Sequence, residues 1–287
     1  MPTKIEKDGL TGRETTGHEW DGLKELNTPL PKWWLYTFYA CIAFAAVWVV
    51  IYPSWPGWNG TSGWIAREAI VGEMAEANAR NAPMMARLRE ATPAQIVANP
   101  EMREFALAGG RVAFANNCAA CHGAGGQGAV GGFPALVDDD WLWGGSLDAI
   151  QATIRHGIRN TEDDEARQSL MPRFGADGML TAAQISDVAD YVLSLSGQST
   201  DAAAVARGAT VYEENCVACH AERGVGNREV GAPRLSDQVW LHGGTKRDIM
   251  AMVNNPRLGV MPAWQGRLDP ATINMLTVYV HALGGGE

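Results

Sequence analysis

The sequence predicts an all-α fold class, with one N-terminal transmembrane helix followed by two tandem copies of a small helical domain. Three observations carry this. Trp33 to Tyr52 is a run of twenty residues without a charge. A stretch that begins near Gly110 recurs at an offset of 98. Within both copies apolar residues return at helical spacing, and no strand pattern of useful length appears. The chain's 287 residues suit about two domains. Its net charge of −9 argues against a nucleic-acid partner and for an acidic soluble surface.

Residues 1–32 form a polar tail in which five Lys or Arg face six acids, with Gly and Thr interrupting any helical period. This reads as a flexible or surface-lying segment with an exposed His18, and Asn27 to Pro31 as an extended lead-in. Residues 33–52 then span roughly 30 Å as a helix, the thickness of one hydrocarbon core. Trp33, Trp34 and Tyr36 at one end, with Tyr52, Trp55 and Trp58 at the other, make the aromatic belts of a membrane span. A buried core helix seldom carries such belts. A cleaved signal peptide is the other alternative, but Pro53-Ser54-Trp55-Pro56 follows where a small-residue cleavage site is needed. Lys24 and Lys32 precede the span, and no Lys or Arg follows it before Arg67. The positive-inside rule therefore expects a single pass, with a cytoplasmic N-terminus and everything after Tyr52 outside.

Residues 53–100 read as a helical connector. A helix is expected from Thr61 or Ser62 to about Asn81, where Pro83 interrupts it, and Thr92-Pro93 and Asn99-Pro100 start two more. Domain 1 is expected over 101–197 and domain 2 over 201–287. Gly110, Phe114, Asn117 and Cys118 match Gly208, Tyr212, Asn215 and Cys216 at an offset of 98. Pro134, Trp141 and Gly144 match Pro233, Trp240 and Gly243 at 99, Met171-Pro172 matches Met261-Pro262 at 90, and Tyr191 matches Tyr279 at 88. Each copy reads as a helix, a Gly-rich loop, a short helix, a Met-Pro loop and a final amphipathic helix.

The chemistry lies in Cys118-Ala119-Ala120-Cys121-His122 and Cys216-Val217-Ala218-Cys219-His220. C-x-x-C-H is the pattern of covalent haem c attachment. Two thiols add across two vinyl groups of one haem, so they must sit one helical turn apart, and the adjacent His reaches the iron. A redox dithiol does not need that His, and a zinc site needs further ligands at zinc spacing. Four of five cysteines are thereby used, which excludes a disulfide framework and leaves Cys41 in the apolar segment. Two haem c are expected, on Cys118 and Cys121 and on Cys216 and Cys219, with His122 and His220 as axial ligands. Of eleven Met residues, only Met171 and Met261 occupy matched positions before Pro, and they are the expected second ligands. His156 competes with Met171 for the first haem, although its repeat counterpart falls among Asn254 and Asn255. Pro134 and Pro233 are expected to offer a carbonyl to Nδ1 of each haem His.

The paired C-x-x-C-H and Met-Pro loops resemble class I cytochrome c domains in tandem. With Asn27 to Trp34 before the anchor and Gly128 to Leu136 after the first motif, the chain resembles subunit III, the CcoP/FixP family, of cbb3-type cytochrome c oxidase. That resemblance covers nearly the whole chain. It implies a dihaem subunit of a bacterial inner membrane, with periplasmic haem domains, that takes electrons from a donor c-type cytochrome and passes them to a monohaem subunit and the haem-copper catalytic subunit. No catalytic residue is expected in this chain. Two alternatives stay open here: a free-standing membrane-tethered electron shuttle, and a dihaem peroxidase, against which two Met-Pro loops argue. The acidic run Glu162 to Glu165 is either a docking patch for a basic donor or a solvated loop.

Overall fold

A computed structural model describes residues 4–198 and 201–287, and the chain divides into two units, Met1–Arg80 and Asn81–Glu287. In the first unit the polar tail departs from expectation. It forms an antiparallel hairpin of β1 (Thr15–Trp20) and β2 (Leu23–Leu26), with Trp20 opposite Leu23. The turn is Asp21-Gly22, both at positive φ (53° and 84°), which is the two-residue turn whose twist suits a hairpin. Lys24 pairs with Glu6 at 2.6 Å, and the Thr15 hydroxyl accepts from the Glu6 amide at 3.0 Å. His18 is exposed, as expected.

Helix α1 (Lys32–Ile51) is long and apolar enough to cross a membrane, with mean hydropathy 2.0 and no buried residue. Its last carbonyls are not left bare. The amides of Thr61 and Ser62 fold back to donate to Val50 and Ile51 at 3.0 Å each. Gly60 (φ 70°) makes this reversal, since a Cβ there would enter the Ile51 and Tyr52 backbone. Helix α2 (Ala66–Glu90) starts later than expected and runs through Pro83 without a break. One missing N–H does not end a helix whose far turns are packed: beyond the proline, Met84, Met85 and Leu88 enter a hydrophobic cluster.

The second unit contains the short helix α3 (Pro93–Ala98), then α4 (Pro100–Asn117) and the one-turn α5 (Ala119–His122). It continues with α6 (Leu147–His156), α7 (Ala182–Leu195), α8 (Ala202–Asn215) and the one-turn α9 (Val217–His220). Helices α10 (Lys246–Asn254) and α11 (Pro270–His281) complete it. The Thr-Pro and Asn-Pro starts hold: Thr92 caps α3 in a capping box and Asn99 caps α4.

Packing does not follow the repeat boundaries. The first helix of copy 1, α4, lies against the last helix of copy 2, α11, and the last helix of copy 1, α7, lies against the first of copy 2, α8. At both crossings a glycine admits the partner backbone. A Cβ on Gly110 would sit 2.6 Å from Tyr279 Cβ, and one on Gly208 would sit 2.9 Å from Tyr191 Cβ. An aromatic pair follows each glycine, Phe114 with Tyr279 at 5.5 Å and Tyr212 with Tyr191 at 4.9 Å. The division into 101–197 and 201–287 thus marks sequence repeats, while the cores are assembled across them. One contains Phe174, Ile185, Val188 and Val192 of copy 1 with Val211, Tyr212, Ile249 and Val253 of copy 2. The other joins Ala113, Phe114, Ile150 and Ile154 to Ile273, Leu276 and Val280. A short connection explains the exchange: residues 196–201 join α7 to α8, and consecutive elements so joined pack as neighbours. That leaves α4 and α11 to bury each other.

Candidate functional site

Each C-x-x-C-H occupies the turn after a long helix, because the helical hydrogen bonding continues through it. The amides of Cys121 and His122 donate to Cys118 O at 3.1 and 2.9 Å, and those of Cys219 and His220 donate to Cys216 O at the same distances. The thiols of each pair are therefore one turn apart. Burial pushes the Cys118 and Cys216 thiols up to about 11, while Cys121 and Cys219 are exposed. After each motif the chain must leave the helix at positive φ. Gly123 does so at 79°, and in copy 2 an alanine, Ala221, takes φ 59°.

The imidazoles are oriented as the sequence suggests. His122 Nδ1 lies 3.0 Å from Pro134 O, and His220 Nδ1 lies 3.0 Å from Pro233 O. A carbonyl only accepts, so Nδ1 carries the proton and Nε2 presents its lone pair. Burial lowers both histidine pKa values, which keeps the rings neutral. The loops returning to these carbonyls need Gly128 (φ 68°) and Gly226 (φ 81°), each of which lies against the backbone at the following Pro.

The Met-Pro loops dock on the opposite copy. Met261 and Ile158 exchange amide-to-carbonyl bonds at 3.0 Å in both directions, and the Trp264 amide donates to Ile154 O. Met261 consequently packs on the core that carries Cys118, Phe114 and Ile154. In the mirror arrangement, Ala176 N donates to Asn254 O at 2.9 Å and Arg173 Nε to Asn255 Oδ1 at 3.1 Å. Met171 then packs with Cys216, Tyr212 and Ile249. Sequence order pairs Met171 with His122, whereas the fold brings Met171 to the His220 core and Met261 to the His122 core.

Two cavities connect these residues. One, of ≈ 460 Å³, is bounded by His220, Cys216, Met171 and apolar side chains such as Val188 and Leu235. The other, of ≈ 300 Å³, contains both C-x-x-C-H motifs, both methionines and Trp264 in its walls. Paired thiols, a neutral lone-pair nitrogen, a thioether and apolar walls fit a haem. His156 is elsewhere: its Nδ1 is 3.2 Å from Asp163 Oδ2 and its Nε2 is 3.1 Å from Glu165 Oε2. The acidic run is folded onto this histidine, and neither borders the cavities. The sequence carries no signal for Arg159, Arg257 or the half-buried His242, all of which line the smaller cavity that both motifs share.

Fold and site together define a membrane-anchored dihaem c-type cytochrome. The comparisons specify it further. Residues 12–59 match the N-terminal domain of cytochrome oxidase-cbb3, FixP; residues 107–196 match cytochrome c; residues 203–280 match cytochrome c oxidase, cbb3-type, subunit III. The chain is 52% identical to the cbb3-type cytochrome c oxidase subunit CcoP of Azospirillum brasilense, over 98% of this chain and 99% of the relative. It is 52% identical to subunit FixP of Azorhizobium caulinodans (98% and 96% covered) and 50% identical to subunit CcoP of Cereibacter sphaeroides (95% of each). The chain belongs to the CcoP/FixP family, subunit III of cbb3-type cytochrome c oxidase. It carries two covalently bound haem c and serves electron transfer in the oxidase, which sets aside the free-standing shuttle and the peroxidase.

Proposed function

We propose that the chain relays electrons from a donor c-type cytochrome to the monohaem and haem-copper subunits of the oxidase, through two haems with crossed axial ligands. Cys118 and Cys121 would hold one haem, with His122 and Met261 as its axial pair. Cys216 and Cys219 would hold the other, with His220 and Met171. The observation that supports the crossing is the docking of each Met-Pro loop on the opposite copy's short helix. When bound, the haems supply one-electron iron redox chemistry.

The chain's own contribution is to keep that chemistry closed and fast. The Pro134 and Pro233 carbonyls fix the histidine tautomers, and the two thioethers would favour the ferrous state of the haems they hold. The α7–α8 and α4–α11 crossings hold both loops shut, so little rearrangement accompanies a change of charge. One cavity wall reaches both motifs, which suits transfer between neighbouring haems. Lys24 and Lys32 before the span support a cytoplasmic N-terminus and a periplasmic haem unit. The test is purification in mild detergent: the chain co-migrating with oxygen-reducing activity and two haem c supports the relay, and quantitative separation from that activity refutes it.

A further inference from the structure

The smaller cavity, which both motifs share, carries a positive wall. Arg159, Arg257 and His242 all border it, and no Asp or Glu is among the described residues that do. Neither arginine has a carboxylate partner among the described ion pairs, in a chain whose net charge is −9. Arg159 is held by two carbonyls, its Nε donating to Gly259 O at 2.7 Å and its Nη1 to Ser169 O at 3.3 Å. Those bonds spend part of its donor fork and leave Nη2 free. His242 stands where copy 1 has Trp143. Its ring lies against Gly132, where a Cβ would be 3.2 Å from Cε1, and its buried Nδ1 has no hydrogen-bond partner. Burial, with Arg257 and Arg159 behind it, lowers the His242 pKa. The half-buried Arg159 and the exposed Arg257 have no carboxylate partner among the described residues, and the buried His242 Nδ1 lacks a partner at a cost that an anion accepting from its N–H would remove.

We infer that Arg159, Arg257 and His242 form the seat of haem propionate carboxylates, supplying charge-assisted hydrogen bonds at the place where the two haem sites share one cavity. The inference rests on the dihaem reading of that cavity. A guanidinium there opposes the extra positive charge of ferric iron and offsets the negative propionate. Both effects favour the ferrous state, so removing the charge lowers the potential.

The test uses the full chain with its haems, in detergent, carrying Arg257→Gln. Arg257 is exposed and makes no hydrogen bond or ion pair among those described, so its replacement removes charge without breaking one. Haem stoichiometry comes first: fewer than two haems in the unaltered chain defeats the dihaem reading, independently of this inference. Redox titration then measures the ferric-to-ferrous ratio at fixed potential, which is expected to rise roughly three- to tenfold for one haem, tenfold being 59 mV for one electron. Arg159→Gln should act in the same direction, and Arg159→Lys should restore most of the change. Redox-difference infrared bands of the propionates should shift with them. The exposed Arg111→Gln on α4 serves as the surface control. Potentials and propionate bands that move no more in Arg257→Gln and Arg159→Gln than in this control would overturn the inference.

Discussion

Gly208→Ala tests how the two copies are joined. A Cβ at Gly208 would lie 2.9 Å from Tyr191 Cβ and within contact of the Asp187 carbonyl. Alanine gains about 1 kcal/mol of helix propensity, but overpacking costs about 1–3 kcal/mol, and here a backbone atom must yield. The difference is a net loss of up to about 2 kcal/mol at the α7–α8 crossing, and we expect the upper end because helix α7 cannot swing aside as a side chain would. This crossing holds the arm that bears Met171 against the His220 core. On the proposed ligation Met171 would then hold its haem iron less firmly, and exogenous imidazole should compete about tenfold better for each 1.4 kcal/mol lost. The assay is imidazole titration of the ferric chain, followed in the Soret band, with Met171→Ala and Met261→Ala assigning the phases. Only the phase assigned by Met171→Ala should move. Movement of the phase assigned by Met261→Ala instead, or of both equally, would refute the exchange of α7 and α11. Gly110→Ala should give the mirror result.

Other substitutions probe the supports of this arrangement. Asn274 is buried, donates to Leu88 O (2.8 Å) and Ala91 O (3.1 Å), and accepts from Gln151 Nε2 (2.6 Å), so Asn274→Ala should destabilise the second unit by about 2–3 kcal/mol in urea unfolding. Gly128→Ala places a Cβ 2.5 Å from Phe133 O and strains φ 68°, displacing the Pro134 carbonyl from His122, and should lower haem occupancy at Cys118 and Cys121 while sparing the other site. The Arg89 hydrogen bond holds the Asp269 carboxyl below its usual 3.8. The unfolded chain therefore binds more protons as pH falls, and this contribution is complete above the unfolded value and lost through the lower folded one. Asp269→Asn keeps an N-cap oxygen for α11 and should flatten the fall in stability as pH drops through and below the usual 3.8, relative to the unaltered chain.

Much of this was legible from local pattern. The uncharged run became α1, and the two C-x-x-C-H motifs became single turns on matched helices. The Pro carbonyls reached the haem histidines, because a fixed spacing along the chain sets that loop. The hairpin is not legible in the pattern although Asp21-Gly22 signals it: mixed charge hides strands of which only Thr15 and Gly17 are buried. The exchange of α7 and α11 could not be read from the repeat. Equivalent surfaces on the two copies allow either pairing, and a matched Met-Pro loop fits either core. Only the short connection over residues 196–201 carried the information, as an adjacency rather than a motif.

The crossed ligation is tested most directly in a chain reduced to one haem. Cys216→Ala with Cys219→Ala leaves only the Cys118/Cys121 site, and magnetic circular dichroism of the ferric form reports its axial ligand. Adding Met261→Ala should abolish the Met-ligated low-spin signal, while adding Met171→Ala should leave it intact. Loss of that signal with Met171→Ala and its retention with Met261→Ala would contradict the crossing.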